Sequence, residues 1–250
     1  MSIWLIALLF FAAATIYSMA GFGGGSAYIA VLTLTGFAHD RIPVIALVCN
    51  IVVTMGGTYH FVRAGHFDWR RFWPFALGSM PLALVGGRMP LTRESFMLLV
   101  GVLLLVAGVL LIWPVGNKRA EEVARPPHRA GSIVVGGGLG LLSGMVGIGG
   151  GIFLAPLLLL LHWAAPKQVA AFSAVFILLN SLSGLAGQLL KSSAAFYDWQ
   201  WLALAGAVFV GGQLGSRLGA HRVSQARVRQ VTGVVVLAAA LRILSVILFD

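Results

Sequence analysis

The sequence predicts an all-α integral membrane protein, built as two inverted repeats of about five helical segments each, with Gly-rich hairpin tips near the bilayer midplane. Three observations predict it. Of the 250 residues, 59% are hydrophobic and only 10% charged, and the mean hydropathy is +0.96. That composition suits a chain facing lipid and not a surface solvated by water. Apolar runs that approach or exceed spanning length fill most of the chain. A glycine phrase also recurs, since "GFGGGS" begins at Gly21 and "GIGGGI" at Gly147, each directly after an apolar run.

The first repeat covers residues 1–113, with apolar segments at 2–19, 24–36, 43–62, 72–88 and 95–113. The opening segment has no Lys or Arg before Arg41. It therefore reads as a mature helix and not as a signal peptide, which wants a positive start. Residues 114–130 form a polar, charged linker containing Pro126-Pro127, expected on the cytoplasmic side. The second repeat covers 131–250, with segments at 131–146, 150–162, 168–190, 200–217 and 227–248. Trp4, Trp69, Trp73, Trp113, Trp163, Trp199 and Trp201 all stand near segment ends, where interfacial aromatics belong. Cys49 is the one cysteine, so it makes no intrachain disulfide and reads as a buried packing residue.

The halves match in order. "MAGFGGG" from Met19 pairs with "MVGIGGG" from Met145, Asn50 with Asn180, Asp68-Trp69 with Asp198-Trp199, and Gly86-Gly87-Arg88 with Gly215-Ser216-Arg217. The offsets stay between 126 and 130, which marks an internal duplication. Charge decides its sense. The formal net charge of +10 sits in short loops, so it reports topology and not nucleic-acid binding. If each glycine knot is a hairpin tip, each half crosses an odd net number of times and the halves are inverted. With the N-terminus outside, twelve basic residues then lie inside, and Arg41, Arg88, Arg93 and Lys191 lie outside. If each knot is a kink within one long helix, the count falls to eight against eight. The hairpin reading obeys the positive-inside rule. It also avoids a helix of roughly 50 Å in a core of ~30 Å.

Short hairpin arms put the tips below the membrane surface, approaching the midplane from opposite faces. Backbone at that depth must face protein or water. Each tip opens a helix, whose N-terminal N–H groups are unpaired and carry roughly half a positive charge. Glycines let an anion reach those groups. The candidate substrate-binding residues are therefore Gly21, Gly23, Gly24, Gly25 and Ser26 in one tip. Gly147, Gly149, Gly150 and Gly151 are their counterparts in the other. Asn50, Asn180 and Ser173 are the polar residues inside apolar segments that could face them. Two uses fit the asparagines, an anion-facing amide or an interhelical hydrogen bond. Thr54 and Ser181 could add hydroxyls or bond back to their own helices. Close helix packing accounts for other glycines, such as Gly101, Gly108 and Gly233.

The remaining polar residues read more plainly. Arg88 and Arg217 are snorkelling anchors, and Asp68 and Asp198 are helix N-caps. His60 reads as a satisfied or interfacial histidine. No carboxylate falls in a segment interior, so a carboxylate proton relay across the midplane is not expected. No catalytic set and no metal-ligating cluster stands out. The chain therefore reads as not an enzyme, with no cofactor and no metal.

The paired motifs, "GMVGIGGGIFLAPLLLL" above all, resemble the TauE/SafE family of sulfite exporters and related anion transporters. Pro156 after the second glycine motif fits that pattern, as does the approach Tyr197-Asp198-Trp199. Phe172-Ser173 stands where the family often has Thr-Ser, and the first half lacks a proline matching Pro156. The resemblance covers both halves. It implies movement of small sulfur-containing or organic anions across a bacterial inner membrane. The expected function is thus a secondary transporter of small oxyanions, sulfite or an organosulfonate, working by alternating access. The alternatives are a channel-like anion facilitator and a non-transporting membrane scaffold or sensor. The expected partners are a small anion and the lipid bilayer, with no nucleic acid, and a homodimer is compatible with this reading. Both termini are expected outside, in the periplasm.

Overall fold

The computed structural model describes residues 2–113, 128–161, 163–191, 200–221 and 225–249. These form ten helices and no strand: α1 (Ile3–Met19), α2 (Gly25–Leu34), α3 (Ile42–Arg63), α4 (Trp69–Arg88), α5 (Arg93–Ile112), α6 (Arg129–Val146), α7 (Gly151–Leu160), α8 (Pro166–Lys191), α9 (Gln200–His221) and α10 (Gln225–Phe249). Each apolar segment is a helix, with ends displaced by four residues or fewer. The displacements have local causes. Asp68 caps α4 by accepting the N–H of Arg70 at 2.9 Å, and Thr92 caps α5 by accepting that of Ser95 at 3.2 Å. Both helices therefore include a polar first turn that hydropathy leaves out. The linker up to residue 127, the residues Tyr197-Asp198-Trp199 and Arg222 lie outside the described residues.

Helices α3, α5, α6 and α8 and residues Arg227–Ile247 of α10 are long and apolar enough to cross a membrane. Helices α1, α2 and α7 are shorter apolar helices. Trp4, Trp69 and Trp113 are exposed at helix ends, as interfacial aromatics should be.

Each glycine knot is a hairpin. The Phe10 and Tyr28 rings stack with centroids 4.5 Å apart, and Ser26 Oγ lies 3.4 Å from the Tyr17 hydroxyl. The chain after Gly21 therefore doubles back along α1. In the second half, a Cβ at Gly150 would lie 3.4 Å from both Leu139 O and Ser143 Cβ, so the chain after Gly147 turns back past the last turns of α6, and α7 then packs on α8 and α5. The returning arms have 10 residues each, roughly 15 Å of helix.

Glycines fix the helix registers. A Cβ on Gly136, Gly140 or Gly144 of α6 would strike the carbonyl oxygens of Phe75, Ser79 and Ala83 on α4, in that order. A Cβ on Gly211, Gly215 or Gly219 of α9 would strike those of Phe11, Thr15 and Met19 on α1. Both pairs thus run parallel, with a small residue every four positions letting the backbones meet. Gly140→Val should therefore overpack the α4–α6 contact and cost about 1–3 kcal/mol. Gly138→Ala, with nothing within 4 Å of its added Cβ, should leave stability unchanged or raise it by up to about 1 kcal/mol. Thermal melting in detergent, read by tryptophan fluorescence, checks both.

The packing repeats between halves. Exchanging α1–α5 with α6–α10 turns α4–α6 into α9–α1, α4–α8 into α9–α3, and α2–α3 into α7–α8. It leaves α3–α8 and α5–α10 as pairs of equivalents. Those equivalents run antiparallel. Gly57 meets Ala174 while Gly184 meets Leu47, and Gly101 meets Leu244 while Gly108 meets Leu237.

Candidate functional site

The two tips meet inside the protein. Gly21 (φ +79°) and Gly24 (φ +89°) turn the first. Gly147 (φ +88°), Gly149 (φ +87°) and Gly150 (φ +78°) turn the second. These values lie in the left-handed region that glycine adopts at least cost. Space is equally restrictive. Gly21 abuts the backbone of Ala170 on α8, and Gly147 abuts that of Pro43 on α3. A Cβ at Gly25 would fall 2.7 Å from the carbonyl oxygen of Ile148, so one tip touches the other.

Asn50 stands between them, fully buried. Its Nδ2 donates to the carbonyl oxygens of Ile148 at 3.1 Å and Gly147 at 3.4 Å. Its Oδ1 accepts from no protein group. That oxygen faces the first tip, 2.5 Å from where a Cβ at Gly23 would be and 3.0 Å from one at Gly25. Two carbonyls on the other side fix which end of the amide is nitrogen.

The structure corrects the correspondence between the asparagines. Gly21 against Ala170 mirrors Gly147 against Pro43, and Gly57 against Ala174 mirrors Gly184 against Leu47. These reciprocal contacts relate α3 to α8 by an offset of 127, which carries Asn50 to Ile177. Accordingly Gly25 packs on Asn50 where Gly151 packs on Ile177. Asn180 lies three residues beyond that position, and its Nδ2 donates to Phe176 O on its own helix at 2.8 Å. The tip region is therefore asymmetric, with an amide on one side and an isoleucine on the other.

Other polar groups gather nearby. The Ser181 hydroxyl would be 3.3 Å from a Cβ at Gly149. The Ser181 and Ser173 hydroxyls and Asn180 Oδ1 are buried with no protein partner. The Thr54 hydroxyl bonds back to Asn50 O at 2.6 Å, the local use expected of it. His60 is satisfied, its Nε2 lying 3.1 Å from Gln213 Oε1. Sequence reasoning missed Tyr28. Its hydroxyl is buried without a partner and would lie 2.6 Å from a Cβ at Gly24. A tyrosine four residues after the tip, inside an apolar run, was the available signal.

Neither helix start has a side-chain cap. Among the described residues, no N–H of Gly23–Gly25 or of Ile148–Gly151 donates to a protein group. These unpartnered donors, the partial positive charge of two helix N-termini and the buried hydroxyls nearby gather at the tips without a charged side chain.

Comparison with known proteins agrees with this architecture. The family model for "Sulfite exporter TauE/SafE" matches residues 5–243. "Probable membrane transporter protein y4hK" of Sinorhizobium fredii is 32% identical over 243 residues, covering 96% of this chain and 97% of the relative. "Probable membrane transporter protein YunE" of Bacillus subtilis is 24% identical over 245 residues, covering 87% of this chain and 89% of the relative. The glycine hairpins, the apolar helices and these matches together place the chain in the TauE/SafE sulfite exporter family, as a membrane transporter.

Proposed function

We propose that the protein is a secondary transporter of small oxyanions, sulfite or an organosulfonate, that binds its substrate between the two glycine tips. The observation that carries this reading is the meeting of two uncapped helix N-termini at Asn50, deep inside an apolar protein. Buried N–H groups without partners are rare and costly. An oxyanion satisfies several of them at once, and it sits well at a helix N-terminus. The family's name supports a sulfur oxyanion.

Antiparallel equivalents, α3 with α8 and α5 with α10, support inverted repeats and hence alternating access by rocking one repeat against the other. With both termini outside a bacterial inner membrane, export of an anion runs down the membrane potential, at about 2.3 kcal/mol per charge per 100 mV.

The test is counterflow in proteoliposomes. Vesicles loaded with unlabelled sulfite should transiently accumulate labelled sulfite with saturable kinetics. Methanesulfonate and thiosulfate, tested as competitors, rank the substrates. Flux without saturation or counterflow would indicate a facilitator, and no flux of any oxyanion would overturn the transport site.

A further inference from the structure

Two cavities open beside the loop between α2 and α3. One, of about 180 Å³, is lined by His39, Asp40, Pro43, Met145 and Lys191 among others. The second, of about 300 Å³, is lined by Phe37, His39, Ile42 and Arg93 among others. Both share His39 and Phe96, whose ring centroids are 6.4 Å apart and form the partition. The smaller cavity lies next to the second tip, because Pro43 in its wall is the residue against which Gly147 packs. Met145, also in the wall, precedes Gly147 by two residues. Pro43 and Met145 thus stand between the cavity and the second tip.

The charges are placed with economy. On the face that carries the α2–α3 and α4–α5 loops, the basic residues are Arg41, Arg88, Arg93 and Lys191. The charge rule disfavours basic residues on this face, yet Lys191 lines one cavity and Arg93 the other. Lys191 is the last residue of α8 and only partly exposed, so solvent screens its charge less than it would a free surface lysine. Among the described residues, the carboxylates nearby are Asp40, exposed in the wall of the smaller cavity, and Glu94, exposed beside Arg93. A water molecule takes about 30 Å³ of liquid volume, so the smaller cavity has room for a small oxyanion with part of its hydration shell.

We infer that these cavities form an anion-collecting vestibule, with Lys191 as the charge that holds a small oxyanion above the second tip before it enters or after it leaves. The assignment rests on the transport reading for what the vestibule feeds, but its own chemistry is tested without transport. Leu91 lines the smaller cavity, and the only native cysteine, Cys49, is buried. A Leu91→Cys protein therefore carries one accessible thiol. In proteoliposomes, an anionic membrane-impermeant methanethiosulfonate should label it faster than a cationic one. Relative to their rates on a free thiol, the ratio should be about tenfold at low salt. The preference should collapse between about 0.01 M and about 1 M salt, as the screening length shrinks from about 30 Å to about 3 Å. Lys191→Gln should remove most of the preference and Lys191→Arg should keep it. Excess methanesulfonate should slow labelling. His39→Cys serves as a second reporter if Leu91→Cys fails to fold.

A ratio equal to that of the free thiol, or one unchanged by Lys191→Gln, overturns the vestibule. Flux separates the two readings. If the protein transports, Lys191→Gln should raise KM several-fold for substrate offered at this face and leave kcat unchanged. Labelling preference in a protein that moves no oxyanion would retain the anion trap and sink the transport reading. Saturable flux with a flat labelling ratio would do the reverse.

Discussion

Gly23→Ala will cut oxyanion flux by at least about tenfold, equivalent to about 1.4 kcal/mol or more of lost binding, while the protein still folds. Gly23 has no positive φ, so alanine adds no backbone strain there. Its Cβ would however stand 2.5 Å from Asn50 Oδ1 and 3.1 Å from Ile177 Cγ2. The nearest atom is the end of a side chain, and the amide can swing aside. That shift takes the one amide between the tips out of place and puts a methyl group among the donors of the first tip. Gly138→Ala is the matched control, a glycine-to-alanine change in a helix with open space around it. Flux per folded protein, measured for both at equal incorporation, is the readout.

The asparagines should separate clearly. Asn50→Ala leaves the carbonyls of Gly147 and Ile148 without their side-chain donor, inside a fully buried site. Each buried group left unsatisfied costs about 1–3 kcal/mol. The melting temperature should fall and flux should drop by one to two orders of magnitude, at about 1.4 kcal/mol each. Asn180→Ala removes a bond to a carbonyl four residues back on the same helix. Side-chain hydrogen bonds between helices inside membranes are worth about 0.6 kcal/mol on average, and this one stays within its own helix, so flux should stay within about threefold. Equal losses in the two variants would contradict the asymmetric tip region and restore the symmetric pair.

Much of the fold was legible. Apolar runs, flanking tryptophans and the two glycine phrases gave every helix, because length and hydropathy are the quantities a membrane selects. Charge counting chose the hairpin over the kink, and the stack of Phe10 on Tyr28 bears that out. Helix starts at Trp69 and Arg93 were missed by two or three residues, since polar first turns held by Asp68 and Thr92 carry no hydropathy signal.

The candidate site was legible only in part. Sequence comparison pairs like with like, so it joined Asn50 to Asn180. Packing pairs positions that touch equivalent neighbours, and that joins Asn50 to Ile177. Nor could sequence show which atoms of Asn50 are engaged, since its partners at Gly147 and Ile148 are far along the chain. The vestibule was hidden for the same reason. His39, Arg93 and Lys191 stand in three separate loops or helix ends that only the fold unites.

The most direct test is equilibrium binding of radiolabelled sulfite to purified protein in detergent, beside Gly23→Ala and Gly138→Ala. An oxyanion site between the tips predicts saturable binding to wild type and Gly138→Ala, abolished or weakened at least about tenfold by Gly23→Ala. Binding that Gly23→Ala leaves unchanged would place the anion elsewhere and contradict the account.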